Sequence, residues 1–272
     1  MTRMPAPALA VAVAQFAPSA DSDANARQID RMATAAADRG AKLIVFPEYS
    51  SYFVDPFDET LATHAQALDG PFVAALQHSA ARTGAVIVAG LVETADDSRR
   101  VRNAAVAVGP DGILAVYRKL HLYDAFGQRE SDWVEAGEIS PPQTFELGGL
   151  RWGLMTCYDL RFPEVARTLA DAAVDGIVVP AAWVRGPLKE FQWQTLLAAR
   201  AIENTVFVAA ADHPPPLGVG GSVVLDPQGV AIAGIGTGTD LAVGYADPDA
   251  IDRVRRVNPA LRLRRFDVVP RV

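Results

Sequence analysis

The chain has 272 residues, half of them hydrophobic, and a formal net charge of −7. That length suits a single α/β domain, expected here over residues 1–272, and an acidic chain whose only basic cluster is the short stretch 262–266 is not expected to bind nucleic acid. One cysteine, Cys157, excludes an intramolecular disulfide and suits a reducing, cytoplasmic compartment, while no apolar run reaches the ~18 residues of a membrane span.

In chain order, short apolar runs alternate with helical patterns. Residues 8–16 read as a buried strand; the lone arginine ahead of the Ala/Val run resembles a weak signal peptide, but the run ends in Gln15-Phe16 with no polar cleavage region. Residues 21–41 predict a helix, with Ile29, Met32, Ala33, Ala36 and Ala37 in one stripe, Asp21 or Ser22 as cap and Gly40 as stop. Residues 42–48 predict a buried strand ending on Glu48, residues 70–85 a helix and residues 86–93 a third strand. Residues 103–120 form two apolar runs around Gly109-Pro110-Asp111-Gly112, a hairpin pattern. A strand over 149–157, a helix opened by Pro163, a strand over 176–180, a long helix over 188–204 and a strand over 205–212 follow. A second hairpin around Asp226-Pro227-Gln228-Gly229, a strand over 240–247 and a helix over 248–258 close the pattern. The two hairpins echo each other, which suggests two similar halves and two sheets packed face to face with helices outside. The long irregular stretches, 49–69 and 121–143, are of a length that is often functional.

Three chemically capable residues fall at strand ends: Glu48, Lys119 and Cys157. Ligands of α/β sheets gather outside the carboxyl ends of strands. Singly, each has a bland reading as a surface carboxylate, a turn lysine and a small buried thiol. Together they supply a base, a cation for an oxyanion and a nucleophile, the parts that acyl transfer needs. A thiol with pKa ~8.5 is mostly neutral at pH 7 and needs activation. A Cys–His hydrolase is the rival. Of His64, His78, His121 and His213, none lies in a cysteine-protease motif, and His213, followed by three prolines, reads as a loop residue. No histidine pair has ligand spacing and one cysteine builds no thiolate cage, so no metal is expected.

The segments around these residues, "FPEYS", "YRKLHLYDAFGQRES" and "TCYDLRFPE", resemble the three catalytic segments of the nitrilase superfamily of carbon–nitrogen hydrolases. "WQTLLAARAIEN", "GGSVVLDPQGVAIAG" and "NPALRLRRFDV" resemble its flanking segments, so the resemblance covers nearly the whole chain. It implies a four-layer α-β-β-α sandwich and a Glu48–Lys119–Cys157 triad. It implies a second glutamate at Glu130, with Glu135 the rival by proximity, and an oxyanion site shared by Lys119 and the Tyr158 N–H. It also implies a homodimer or larger homo-oligomer and no cofactor. The "AAWVRGP" stretch makes Trp183 a pocket wall or a core residue. Arg161 and Arg185 are candidate readers of a substrate carboxylate, with Arg161 more readily a structural tie. "EAG" departs from the proline the family often carries there. Among branches, "CYDLRFPE" looks most like amidases of small carboxylated amides, omega-amidases and deaminated-glutathione amidases among them. An N-carbamoyl amino acid hydrolase, a nitrilase and a catalytically silent binding member are the alternatives.

Overall fold

The computed structural model describes residues 7–271; the part of the N-terminal reading that falls on residues 1–6 lies outside them. Strand β1 (Leu9–Gln15) is buried along its whole length. Helix α1 (Ser22–Asp38) follows, opened by Asp21, whose carboxylate accepts the Ala24 N–H at 2.8 Å. Strand β2 (Leu43–Val45) lies parallel to β1. A short helix α2 (Thr60–Thr63) and α3 (Pro71–Thr83) lead into β3 (Val86–Thr94), which is parallel to β2. Helix α3 has proline in its first turn and Gly84 at φ +63° beyond its end, the left-handed position that glycine fills without strain. The first hairpin is β4 (Val101–Gly109) and β5 (Gly112–Arg118), with a two-residue strand β6 (Val134–Glu135) beside β4.

The second sheet begins with β7 (Thr144–Leu147) and β8 (Leu150–Leu154), joined by Gly148 and Gly149, both at positive φ. Helix α4 (Pro163–Asp171), β9 (Gly176–Pro180), α5 (Lys189–Asn204) and β10 (Phe207–Ala211) follow, with β8, β9 and β10 parallel. The second hairpin, β11 (Val223–Leu225) and β12 (Ala231–Gly234), closes this sheet. Strand β13 (Asp240–Ala246) crosses back to pair antiparallel with β1, and α6 (Pro248–Val257) follows it. The strand orders are β13-β1-β2-β3-β4-β5 and β12-β11-β10-β9-β8-β7. Each half thus carries three parallel strands and then a hairpin, as the echo between the two hairpins suggested.

Period-2 alternation sets the layers. Val11, Val13, Val45 and Val88 face Trp152, Leu154, Val178 and Phe207 of the other sheet. Their neighbours Ala12, Ala14, Ile44 and Ile87 turn outward onto Ile29 and Met32 of α1 and Phe72 and Leu76 of α3. Ile177, Val179 and Val208 turn outward onto Leu169 of α4 and Leu197 of α5. Strands apolar on both faces need cover on both, and the result is an α-β-β-α sandwich.

Two differences from the sequence reading matter for the site. The ladders of β2 and β8 end at Val45 and Leu154, short of Glu48 and Cys157, and both residues sit on the chain after it has left the strand. Strand β7 had no distinguishing run: it is four residues long, and its pairing is made by the double-glycine turn.

Candidate active site

Glu48, Lys119, Glu130, Cys157 and Tyr158 line one cavity of about 390 Å³, whose far wall includes Arg161 and Trp183. Of the candidates named from the sequence, only Glu135 and Arg185 lie outside this lining. Lys119 follows the last residue of β5 and is 2 % exposed. Its Nζ donates to Glu48 Oε1 at 2.8 Å and to Glu130 Oε1 and Oε2 at 3.0 and 2.8 Å. Burial alone would lower this ammonium, but Glu130 and Glu48 outweigh it and hold the pKa well above its ordinary value. Glu130 opens a 3₁₀ turn (Glu130–Asp132) in the long 121–143 connection and is itself buried. Glu135 lies instead on β6, paired with Arg102 at 3.1 Å, which settles the position of the second carboxylate beside Lys119 in favour of Glu130.

Cys157 begins the 3₁₀ turn Cys157–Arg161 with φ +45°, a left-handed conformation that a residue with a Cβ takes at a cost. The turn swings the thiol off the end of β8 into the cavity, and it puts the Tyr158 N–H in a first turn, where backbone donors have no partner within the helix. Burial and then the Glu48 charge push the thiol well above its ordinary pKa, while Lys119 pulls the other way. The resting sulfur is accordingly protonated and needs a base.

Several residues that the sequence did not single out build this arrangement. Asn103, the third residue of β4, donates from its one amide nitrogen to Glu48 at 2.7 Å and to Glu130 at 3.1 Å, locking the two carboxylates around Lys119. An asparagine at the head of the apolar run 104–108 was the available signal. Glu48 Oε2 accepts the Ala182 N–H at 2.7 Å, and the Tyr49 hydroxyl donates to Glu130. Asp159, fully buried, accepts from the Tyr117 hydroxyl at 2.7 Å, from the His121 N–H at 3.0 Å and from the Thr156 N–H at 3.2 Å. That one side chain ties the lysine segment to the cysteine turn. His213 is the loop residue the sequence suggested, two positions past the end of β10, but it is fully buried, and its Nε2–H donates to the Glu48 carbonyl at 2.8 Å. The carbonyl can only accept, so Nε2 carries the proton, and burial lowers the ring pKa from 6.5 to about 4.

Trp183 is both wall and core: it is 3 % exposed, its N–H bonds Asp212 at 2.6 Å, and its indole N–H bonds the Lys189 carbonyl at 3.0 Å. Arg161 lies over the Trp183 ring at 4.7 Å and donates to Gln192 at 2.6 Å. Arg185 points away, half-exposed and near Glu190. Among the described residues no cluster of histidine, cysteine and carboxylates could hold a metal ion, and no helix is long and apolar enough to cross a membrane.

The two-sheet sandwich flanked by helices agrees with the comparisons. The carbon–nitrogen hydrolase profile matches residues 10–256. The chain is 39 % identical over 257 residues to the deaminated glutathione amidase of Escherichia coli O157:H7, covering 94 % of this chain and 97 % of that one. It is 32 % identical over 248 residues to human omega-amidase NIT2, covering 86 % of each. Among solved structures, the NitFhit protein of C. elegans superposes with a TM-score of 0.87 at 27 % identity, covering 96 % of this chain and 66 % of that one. The chain belongs to the carbon–nitrogen hydrolase family, within the nitrilase superfamily.

Proposed function

We propose that the protein hydrolyses the C–N bond of a small amide through a cysteine thioester, with Cys157, Glu48 and Lys119 as the catalytic triad. The observation that carries this reading is the buried Lys119 ammonium held 2.8 Å from Glu48, both on the cavity that Cys157 lines. In the acylation step Glu48 takes the thiol proton as sulfur attacks the amide carbonyl. The carbonyl oxygen becomes an oxyanion held by the Lys119 ammonium and the Tyr158 N–H. Donors set in place before charge develops stabilise the transition state more than water would, and one of them is typically worth ~10²–10³ in kcat. Collapse of the tetrahedral intermediate breaks the C–N bond. Glu48 returns its proton to the departing nitrogen, releasing ammonia or an amine and leaving a thioester.

Deacylation reverses the roles. Glu48 deprotonates a water that attacks the thioester, the same oxyanion site holds the second intermediate, and Glu48 returns the proton to sulfur as the acid leaves. Glu130 and Asn103 act through Lys119 and Glu48, fixing where the charges stand. The chemistry calls for no redox partner, since bonds are exchanged with water alone.

The amidase names of the similar proteins favour an amide over a nitrile or an N-carbamoyl amino acid. The test is product release from matched amides, nitriles and N-carbamoyl amino acids, with Cys157→Ala as control. Ammonia from amides alone, abolished in Cys157→Ala, is the expected result. Turnover that survives Cys157→Ala would sink the thioester mechanism, and release from the nitriles alone would move the chain to another branch.

A further inference from the structure

Asp212 is a buried carboxylate that the proposed mechanism leaves unused. It stands one position past β10, is fully buried, and has no cation paired with it among the described residues. Backbone N–H groups take the place of a cation. Oδ1 accepts the Trp183 N–H at 2.6 Å, and Oδ2 accepts those of Val219 and Gly220 at 3.0 and 3.1 Å. Burial pushes the carboxyl above its ordinary pKa, and these N–H groups, with that of His213, pull against it. Both oxygens meet donors only, so the ionised form is the one the contacts fit. The carboxylate is also firmly mounted. Its own N–H bonds Ser222 Oγ at 2.9 Å, and that hydroxyl bonds Gln15 Oε1 at 2.7 Å, at the end of β1 in the other sheet.

The consequence lies in what the Trp183 N–H belongs to. The chain leaving β9 stays extended, and its N–H groups point alternately to opposite sides. The Ala181 N–H bonds the Ala211 carbonyl at 2.8 Å, the last rung to β10. The Ala182 N–H points the other way and bonds Glu48 Oε2 at 2.7 Å. The Trp183 N–H points back again, but β10 has ended, and the Asp212 side chain supplies the acceptor that a further rung would have supplied. Asp212 thus grips this segment from one side while Glu48 occupies the other, where the Glu48 N–H also bonds the Ala181 carbonyl at 3.3 Å. The Ala182 N–H in turn draws the Cys157 thiol towards ionisation. One backbone donor therefore serves both partners of the proton transfer.

We propose that Asp212 is a positioning residue for the proton transfer between Cys157 and Glu48: by holding the Trp183 N–H it keeps the segment after β9 extended and the Ala182 N–H aimed at both groups. A donor fixed there stabilises the negative charge whether it rests on Glu48 or on sulfur, with no reorganisation as the proton moves. Asp212 is not part of the cavity wall and acts only through the backbone. The Trp183 ring has its own anchor, the indole N–H on the Lys189 carbonyl, so the wall it forms does not depend on Asp212 alone.

The kinetic arm of the test rests on the amide-hydrolase reading, and a chemical arm separates the two. Steady-state kinetics on one amide are compared in the wild type, Asp212→Asn and Asp212→Glu. In Asp212→Asn one acceptor becomes an NH2 group that must face an N–H. There kcat should fall by about 10–100-fold, the scale of a slightly misplaced reacting group, while KM stays within about threefold, since substrate binding is not what is lost. Asp212→Glu keeps both acceptors and should recover most of kcat. Alkylation of Cys157 by iodoacetamide, followed by intact mass, needs no amide: sulfur displaces iodide and its proton passes to Glu48. At neutral pH its rate should fall about tenfold in Asp212→Asn, the worth of a hydrogen bond to a charged group, and recover in Asp212→Glu. A wild type that hydrolyses no amide, with alkylation still dependent on Asp212, would remove the hydrolase reading and keep the positioning role. Thermal unfolding checks that each variant is folded; where Asp212→Asn is not, Asp212→Gln against Asp212→Glu makes the same comparison of amide with carboxylate. Equal kcat and equal alkylation in the amide and carboxylate variants, or a loss that falls on KM instead of kcat, would overturn the assignment.

Discussion

Cys157 meets its surroundings through one backbone angle. At φ +45° its thiol leaves the line of β8 and enters the cavity beside Glu48, and in the proposed mechanism a neutral thiol so placed depends on the carboxylate to become a nucleophile. Cys157→Ala removes little volume and no charge pair, so it should abolish turnover while the thermal unfolding midpoint changes by only a few degrees. Full activity in that variant would exclude the mechanism. The two glutamates of the 121–143 connection offer a sharper contrast. Glu130→Gln removes one of the two carboxylates that hold Lys119, and kcat should fall by about 10²-fold or more, the scale of a misplaced oxyanion donor. Glu135→Gln, losing only a partly exposed pair with Arg102, should leave kcat within about twofold. Steady-state kinetics on one amide decides between them. Glu48, Lys119, Glu130 and Cys157 were legible because each stands inside a recognisable segment. Asn103 and Asp159 were not, since a lone polar residue in or after an apolar strand names no partner until the chain has folded around it.

At the scale of elements, the site depends on how the segment after β2 leaves its sheet. Gly90, in the middle of β3, has no side chain because the Glu48–Tyr49 backbone passes over it; a Cβ there would stand 2.3 Å from the Tyr49 nitrogen and 2.7 Å from the Glu48 carbonyl carbon. Gly90→Ala must push that segment away. It should cost about 1–3 kcal/mol of stability, as overpacking does, and a larger share of kcat than of KM, because Glu48 moves relative to Lys119. Calorimetric unfolding together with kinetics tests this, and wild-type behaviour would show that the segment can yield. The element pattern itself was largely readable, including α1 with its Asp21 cap and both hairpins. The short strand β7 and the early ends of β2 and β8 were not, because hydrogen-bond ladders stop where the neighbouring strand stops, and a single run of residues does not report its neighbour's length.

For the whole molecule, His213 couples stability to pH. Its folded pKa of about 4 lies below the ordinary 6.5, so the unfolded chain binds the proton more readily. Above pH 6.5 both states are neutral there and nothing is lost. As pH falls from 6.5 towards 4, protonation draws the equilibrium to the unfolded chain, for a loss on the order of 3 kcal/mol once below 4. His213→Gln should flatten denaturant-midpoint profiles across pH 4–6.5; an unchanged slope would assign the acid sensitivity to other groups. At the same scale, the outer layer exposes Phe191 and Ile202 on α5 and Leu263 and Phe266 beyond α6, apolar side chains suited to an interface between copies. A homodimer is expected by sedimentation equilibrium, and Phe191→Asp with Ile202→Asp should shift it towards monomer; a wild-type protein that sediments as a monomer at all concentrations would refute this.

What the sequence determined by itself was the kind of layer each segment belongs to and which residues, Glu48, Lys119 and Cys157, stand as the proposed triad. Both are local: apolar period, capping residues and turn chemistry act within a few residues, and the motif residues are contiguous with them. What only the tertiary structure decided was proximity. That Asn103 spans Glu48 and Glu130, that Asp159 joins two connections, that His213 supports Glu48 from another sheet, and that Asp212 holds the chain leaving β9 are facts about residues tens to more than a hundred positions apart. Such contacts arise from packing two sheets face to face, and no local preference encodes which distant side chain will be found opposite.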